Sequence, residues 1–199
     1  IQYSIVQAAE TGATLTVNAP KTVKPGEEFS VTVDITNNAD GFSGLIAWLN
    51  YDKSAFELVK WEAGGVDEDD PIYNLLEANL DWKNPDVPAN IATIVQIYFD
   101  AECQNYKGDA VFSKMKFKVK EDAASGNYNF DLDDVSEPEK AKQNRIIDGK
   151  VIACTPKFVD ASITVEGGTT SVDPPASTAE TTQAPATNGL SASIANASG

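Results

Sequence analysis

The chain has 199 residues, and its 15 basic against 30 acidic residues give a net charge of −15. Such an acidic chain repels phosphate, which argues against nucleic acids and anionic membrane surfaces as partners. It contains no histidine, which excludes Ser-His-Asp, Cys-His and histidine-ligated metal sites, because each needs an imidazole. Carboxylate chemistry, an oxygen-ligated metal ion or a noncatalytic role remain.

Short alternating segments follow one another along most of the chain and predict an all-β domain. Residues 28–36 are typical, with Phe29, Val31, Val33 and Ile35 on one face. Strands are predicted over residues 13–19, 28–36, 43–51, 56–61, 73–82, 91–100, 110–120, 127–132 and 158–165. Nine such strands favour an antiparallel nine-stranded β-sandwich with jelly-roll topology.

One short helix is expected between the last two strands. Residues 137–144 lack strand alternation and follow Ser136, a suitable N-cap, while Pro138 falls in the first turn. The sequence therefore predicts a single helical turn in this segment.

The composition changes after Glu166. Residues 167–199 contain no aromatic residue, lysine or arginine, and Thr, Ser, Ala, Pro and Gly dominate. Such a segment buries too little apolar surface to offset its ordering entropy. We therefore expect a folded domain over residues 1–166 and a disordered linker over residues 167–199, which implies a neighbouring module.

The cysteines and the acidic clusters leave alternatives open. Cys103 and Cys154 could form one disulfide or remain two separate thiols. Residues 67–70 and 131–134 are acidic enough to ligate calcium, but neither segment matches the 12-residue EF-hand loop, which favours solvated loops. No metal site, cofactor or catalytic residue is predicted.

One segment carries a family resemblance. Residues 44–59 read GLIAWLNYDKSAFELV: an alternating strand ends in Tyr-Asp, turns, and resumes as Phe-Glu-Leu-Val. This resembles the third and fourth strands of cohesin domains. Residues 24–31 are similar to the Pro-Gly turn before the second strand, and the likeness extends over residues 10–166. The sixth, seventh and closing strands of the family correspond to residues 91–102, 111–119 and 158–166.

The resemblance implies a noncatalytic receptor module with a β-sandwich fold. Cohesins bind dockerins, small calcium-loaded helical modules, and so assemble cellulosomes outside anaerobic bacteria. The calcium belongs to the dockerin, so the resemblance implies no cofactor in this chain. It also implies a protein that is secreted or attached to the bacterial cell surface.

Alternation in residues 44–51 suggests where a partner docks. The family pattern places Tyr51 inward, so Ile46, Trp48 and Asn50 should face out. An outward tryptophan beside an outward isoleucine is typical of an interface. The alternative is a strand buried on both sides, with Trp48 in the core.

Two further strands are expected beside it. In residues 91–100, the more apolar set of Ile91, Thr93, Val95, Ile97 and Phe99 is assigned inward. In residues 73–82, Leu76, Ala78, Leu80 and Trp82 are assigned inward, although a shift of one residue would exchange the two sets. The predicted partner-binding residues are Ile46, Trp48, Asn50, Leu75, Glu77, Asn79, Asp81, Ile94, Gln96 and Tyr98.

Two other functions compete with this interpretation. A carbohydrate-binding module would stack sugar rings on exposed aromatic side chains, with Trp48, Trp61, Trp82 and Tyr98 as candidates. A glycosidase would need a pair of carboxylates, which a chain with 30 acidic residues always offers. The short chain shows no obvious insertions that would build a cleft, so we expect no enzyme.

Overall fold

The computed structural model of the protein describes residues 10–83, 85, 87–132 and 142–168. These residues form strands and one short helix, α1 (Pro71–Leu75). The strands are β1 (Glu10–Asn18), β2 (Thr22–Val23), β3 (Glu28–Thr36), β4 (Gly44–Asp52), β5 (Phe56–Ala63), β6 (Leu76–Trp82), β7 (Ile91–Phe99), β8 (Ala110–Val119), β9 (Gly126–Phe130), β10 (Gln143–Ile147), β11 (Lys150–Val159) and β12 (Ala161–Val165).

The main sheet has nine strands and curls nearly into a barrel, which confirms the predicted all-β sandwich. Its strand order is β5-β8-β3-β1-β11-β10-β4-β7-β6, and β2, β12 and β9 form a smaller sheet. The β1–β11 and β12–β2 pairs are parallel, so both sheets are mixed. The short helix α1 packs against β5, β6 and β7, where the two edges of the main sheet approach each other.

The core lies inside this curled sheet. The predicted inner set of β3, Phe29, Val31, Val33 and Ile35, is buried as expected. Aromatic rings fill the centre: the Tyr51 ring lies 4.9 Å from that of Phe117. Because Tyr51 points inward at the end of β4, the side chains of β4 that alternate with it must point outward.

The helix was predicted in the wrong place. It begins at Pro71 and is capped by Asp70, whose carboxylate accepts a hydrogen bond from the Ile72 amide at 2.9 Å. Asp70 was interpreted only as part of an acidic loop, although Asp-Pro is a typical helix start. Of the predicted turn at 137–144, Gln143 and Asn144 belong to strand β10, and residues 137–141 lie outside the described part of the chain.

The remaining expectations have plain outcomes. Cys103 is exposed and Cys154 is buried, and both are free thiols. Among the described residues, no cluster of acidic or cysteine side chains is arranged to hold a metal ion. The same residues contain no helix long and apolar enough to cross a membrane. Residues 169–199 of the predicted linker lie outside the described part of the chain.

Candidate functional site

Strands β10, β4, β7 and β6 are neighbours, so the three strands expected to carry the binding residues lie side by side. The pairing sets their rows: Ile46 lies opposite Ile97, which lies opposite Glu77. Residues that pair across neighbouring strands point to the same side of a sheet. We call the outer surface of these four strands the docking face. Its members are Gly44, Ile46, Trp48, Asn50, Glu77, Asn79, Trp82, Thr93, Val95, Ile97, Phe99, Lys142 and Asn144.

Strand β4 has the predicted orientation. Leu45, Ala47, Leu49 and Tyr51 are buried in the core. Ile46 and Trp48 alternate with them and are partly exposed on the outer side. Trp48 is therefore not part of the inner core, the alternative that the sequence left open.

Asn50 lies on the same side as Trp48 but is buried. Its side-chain oxygen accepts a hydrogen bond from the Thr93 hydroxyl at 2.6 Å, across the β4–β7 pair. Its amide group thus helps to hold the two strands together at this end of the docking face.

The predicted orientation of β7 is wrong. Ile94, Gln96 and Tyr98 are at most 1% exposed and point into the core. The register with β4 decides this, because Tyr98 lies opposite the core residue Leu45. Val95, Ile97 and Phe99 therefore lie on the outer side, and Ile97 and Phe99 are 43% and 64% exposed.

The prediction for β6 is right for one half of the strand. Glu77 and Asn79 are exposed on the docking face, whereas Leu75 belongs to α1 and packs partly against the core. A β-bulge between Asn79 and Trp82 shifts the register, so Trp82 lies opposite Thr93 on the outer side instead of inward.

Asp81 and Leu80 lie within this bulge. Leu80, which was assigned inward, is 45% exposed. Asp81 is exposed, bonds to Lys83, and lines an open cleft together with Tyr51 and Lys53. Asp81 therefore belongs to the rim of the docking face and not to its centre.

The apolar centre of the docking face is not the indole. The Lys142 ammonium lies 4.1 Å from the centre of the Trp48 ring, and Lys142 is itself buried. This cation–π contact covers part of the ring. The accessible centre is the pair Ile97 and Phe99, next to Gly44, which carries no side chain.

Sequence reasoning missed four residues of this face: Val95, Ile97, Phe99 and Lys142. Both sets of β7 are largely apolar, so alternation alone cannot tell which one faces out. The usable signal lies in β4, because β7 must pair with that strand and so shares its inner side.

Burial also changes the ionisation of Tyr98 behind the docking face. Desolvation, aided by the negative charge of Asp100, raises the pKa of Tyr98 from 10.0 to about 12. Below pH 10 the phenol is neutral in both the folded and the unfolded state. Above that pH the unfolded chain loses its proton first, so stability falls until the pH passes the folded pKa.

We expect the free energy of unfolding to decline between about pH 10 and 12, by as much as ~3 kcal/mol from Tyr98 alone. Denaturant unfolding of the wild type and of Tyr98→Phe across this range checks it. Tyr51, Tyr106 and Tyr128 also have raised pKa values, but they are present in both proteins and cancel. Parallel pH curves for the two proteins would contradict the prediction.

The four aromatic side chains proposed for sugar stacking do not form one platform. Tyr98 is buried, and Trp61 packs against the core with its indole N–H donating to Gln96 Oε1 at 3.2 Å. Trp48 is partly covered by Lys142, whereas Trp82 lies at the β6 edge and is 46% exposed. This arrangement gives no support to a carbohydrate-binding module.

Comparison with known proteins gives a family match. The Cohesin domain family model matches residues 13–152. No curated protein matches the chain. The structure is similar to solved structures that share the fold.

Three of these solved structures are cohesins. The seventh ScaB type I cohesin of Pseudobacteroides cellulosolvens has a TM-score of 0.57 and 24% identity, covering 80% of this chain and 96% of that one. CaCohA2 of Clostridium acetobutylicum, in a complex with CaDoc0917, gives 0.54 and 19%, covering 77% and 99%. A type II cohesin of Acetivibrio cellulolyticus gives 0.50 and 20%, covering 76% and 95%.

Proposed function

The chain belongs to the cohesin domain family, a family of noncatalytic binding modules, and from this we propose that it binds a dockerin through the docking face. The observation that carries the proposal is the exposure of Ile97 and Phe99 on a flat part of four paired strands. Exposed apolar side chains grouped on a surface are typical of protein interfaces. The complex of CaCohA2 with CaDoc0917 supports it, since that cohesin has the same fold.

The chemistry of the face describes the partner. Ile46, Ile97 and Phe99 provide an apolar centre, and Glu77 and Asn79 form a polar edge on β6. Such a surface suits a helix that buries on the order of 800 Å² per partner. The exposed carboxylate of Glu77 and the net charge of −15 favour a helix with lysine or arginine, mainly through a faster association rate.

The wider role is also part of the proposal. We propose that this module attaches dockerin-bearing enzymes or scaffold proteins to a cellulosome and so contributes to cellulose degradation. It would act outside the cell, secreted or attached to the bacterial surface. Residues 167–199 would be the linker to the next module, and the calcium would reside in the dockerin.

Calorimetric titration with a panel of calcium-loaded dockerins, CaDoc0917 among them, tests the proposal. We expect saturable binding to at least one dockerin, its loss when EDTA removes calcium from the partner, and no retention on cellulose. Retention on cellulose without binding to any dockerin would overturn the proposal in favour of a carbohydrate-binding module.

Trp48→Ala is expected to weaken dockerin binding by at least about 2 kcal/mol with little loss of fold stability. The substitution removes a partly exposed ring and the cation–π partner of Lys142, but it leaves the inner face of β4 unchanged. Titration with dockerin and thermal unfolding measure the two effects. A collapse of the melting temperature would show that Trp48 acts mainly in packing, contrary to its assignment to the interface.

A further inference from the structure

An interior polar cluster lies directly behind the docking face. Gln96 Nε2, Tyr98 Oη and Ser113 Oγ are buried, and within the described part of the chain none of these three atoms has a hydrogen-bond partner. Native proteins leave very few buried polar atoms unpaired. Three such atoms in one region of the core therefore need an explanation.

The strand register brings the three side chains to one region. Gln96 and Tyr98 alternate along β7 and point to the same inner side. On the opposite wall, Ser113 and Met115 point inward from β8. Trp61, which pairs with Met115, donates its indole N–H to Gln96 Oε1 at 3.2 Å, so β8 and β7 face each other here.

Helix α1 closes this region at one end. Ala63 lies opposite Ser113 and is the last residue of β5, the strand that precedes α1. Leu76, the first residue after α1, lies opposite Tyr98. Ser113 and Tyr98 are thus both at the end of the interior that α1 covers, beside the Trp61–Gln96 hydrogen bond.

We infer that ordered water occupies this corner, hydrogen bonded to Gln96 Nε2, Tyr98 Oη and Ser113 Oγ. The donors and acceptors are suitable: the amide nitrogen donates, and each hydroxyl both donates and accepts. A buried water needs two to four polar partners, and proteins contain roughly one such water per 27 residues. The inference concerns the core and does not depend on what the chain binds.

Ser113→Ala tests the inference through the sign of its effect on stability. If water bridges the cluster, deleting the hydroxyl removes one partner of that water, and the unfolding equilibrium constant should rise about tenfold. If the hydroxyl is simply unpaired, its deletion should leave stability unchanged or raise it. Ser30→Ala is the control, because Ser30 is exposed on the neighbouring strand β3.

A high-resolution crystal structure of the full chain supplies the second measurement. We expect solvent density within hydrogen-bond distance of at least two of the three atoms in the wild type, and altered or lost density in Tyr98→Phe. Either of two results overturns the inference: these atoms surrounded only by protein atoms, or a Ser113→Ala protein at least as stable as the wild type.

Discussion

Ile97→Asp is expected to weaken dockerin binding by about 3 kcal/mol, roughly a hundredfold, while the domain stays folded. Ile97 occupies the accessible centre of the docking face and is 43% exposed. In the free protein, water solvates the new carboxylate. In the complex the same charge would be buried against a helix without a partner, which is costly.

Calorimetry with the best dockerin of the panel measures this loss. Val59→Asp is the matched control, because Val59 is also an exposed valine-type strand residue, at 48%, but lies on β5 instead of the docking face. Equal affinity losses for the two variants, or unchanged binding by Ile97→Asp, would show that the dockerin binds elsewhere. Thermal unfolding of both variants verifies that they are folded.

Arg145→Ala is expected to cause the largest loss of stability, about 3 kcal/mol. The Arg145 guanidinium is nearly buried and ties β10 to β1 and to the turn before β4. It donates to the Gly41 carbonyl at 3.0 Å, to the Thr11 carbonyl at 3.3 Å and to Glu10 Oε2 at 3.0 Å. Removing it leaves two carbonyls and a carboxylate without this donor and opens a cavity.

Thermal unfolding should show a fall in the melting temperature of roughly 6–12 °C for this variant. Lys116→Ala is the control, since Lys116 pairs with Glu28 at 2.9 Å but both side chains are about half exposed. Surface pairs of that kind contribute little, typically about 0–1 kcal/mol. A melting temperature no lower than that of the control would contradict the structural role assigned to Arg145.

The sequence determined the fold class and the inner side of several strands. In β3, small polar or charged residues alternate with Phe29, Val31, Val33 and Ile35, so a single strand already identifies its buried face. The resemblance over residues 44–59 led to the cohesin family, and the direction of Trp48 followed from the inward Tyr51. In these strands the local pattern and the tertiary contacts agree.

Only the tertiary structure decided which residues form the centre of the docking face. Strand β7 is apolar on both sides, and its pairing with β4 turned Ile97 and Phe99 outward. A bulge in β6 moved Trp82 to the outer side, and the approach of β10 brought Lys142 over Trp48. The physical reason is that a strand hydrophobic on both sides satisfies its own pattern in either orientation, so its neighbours determine which side is buried.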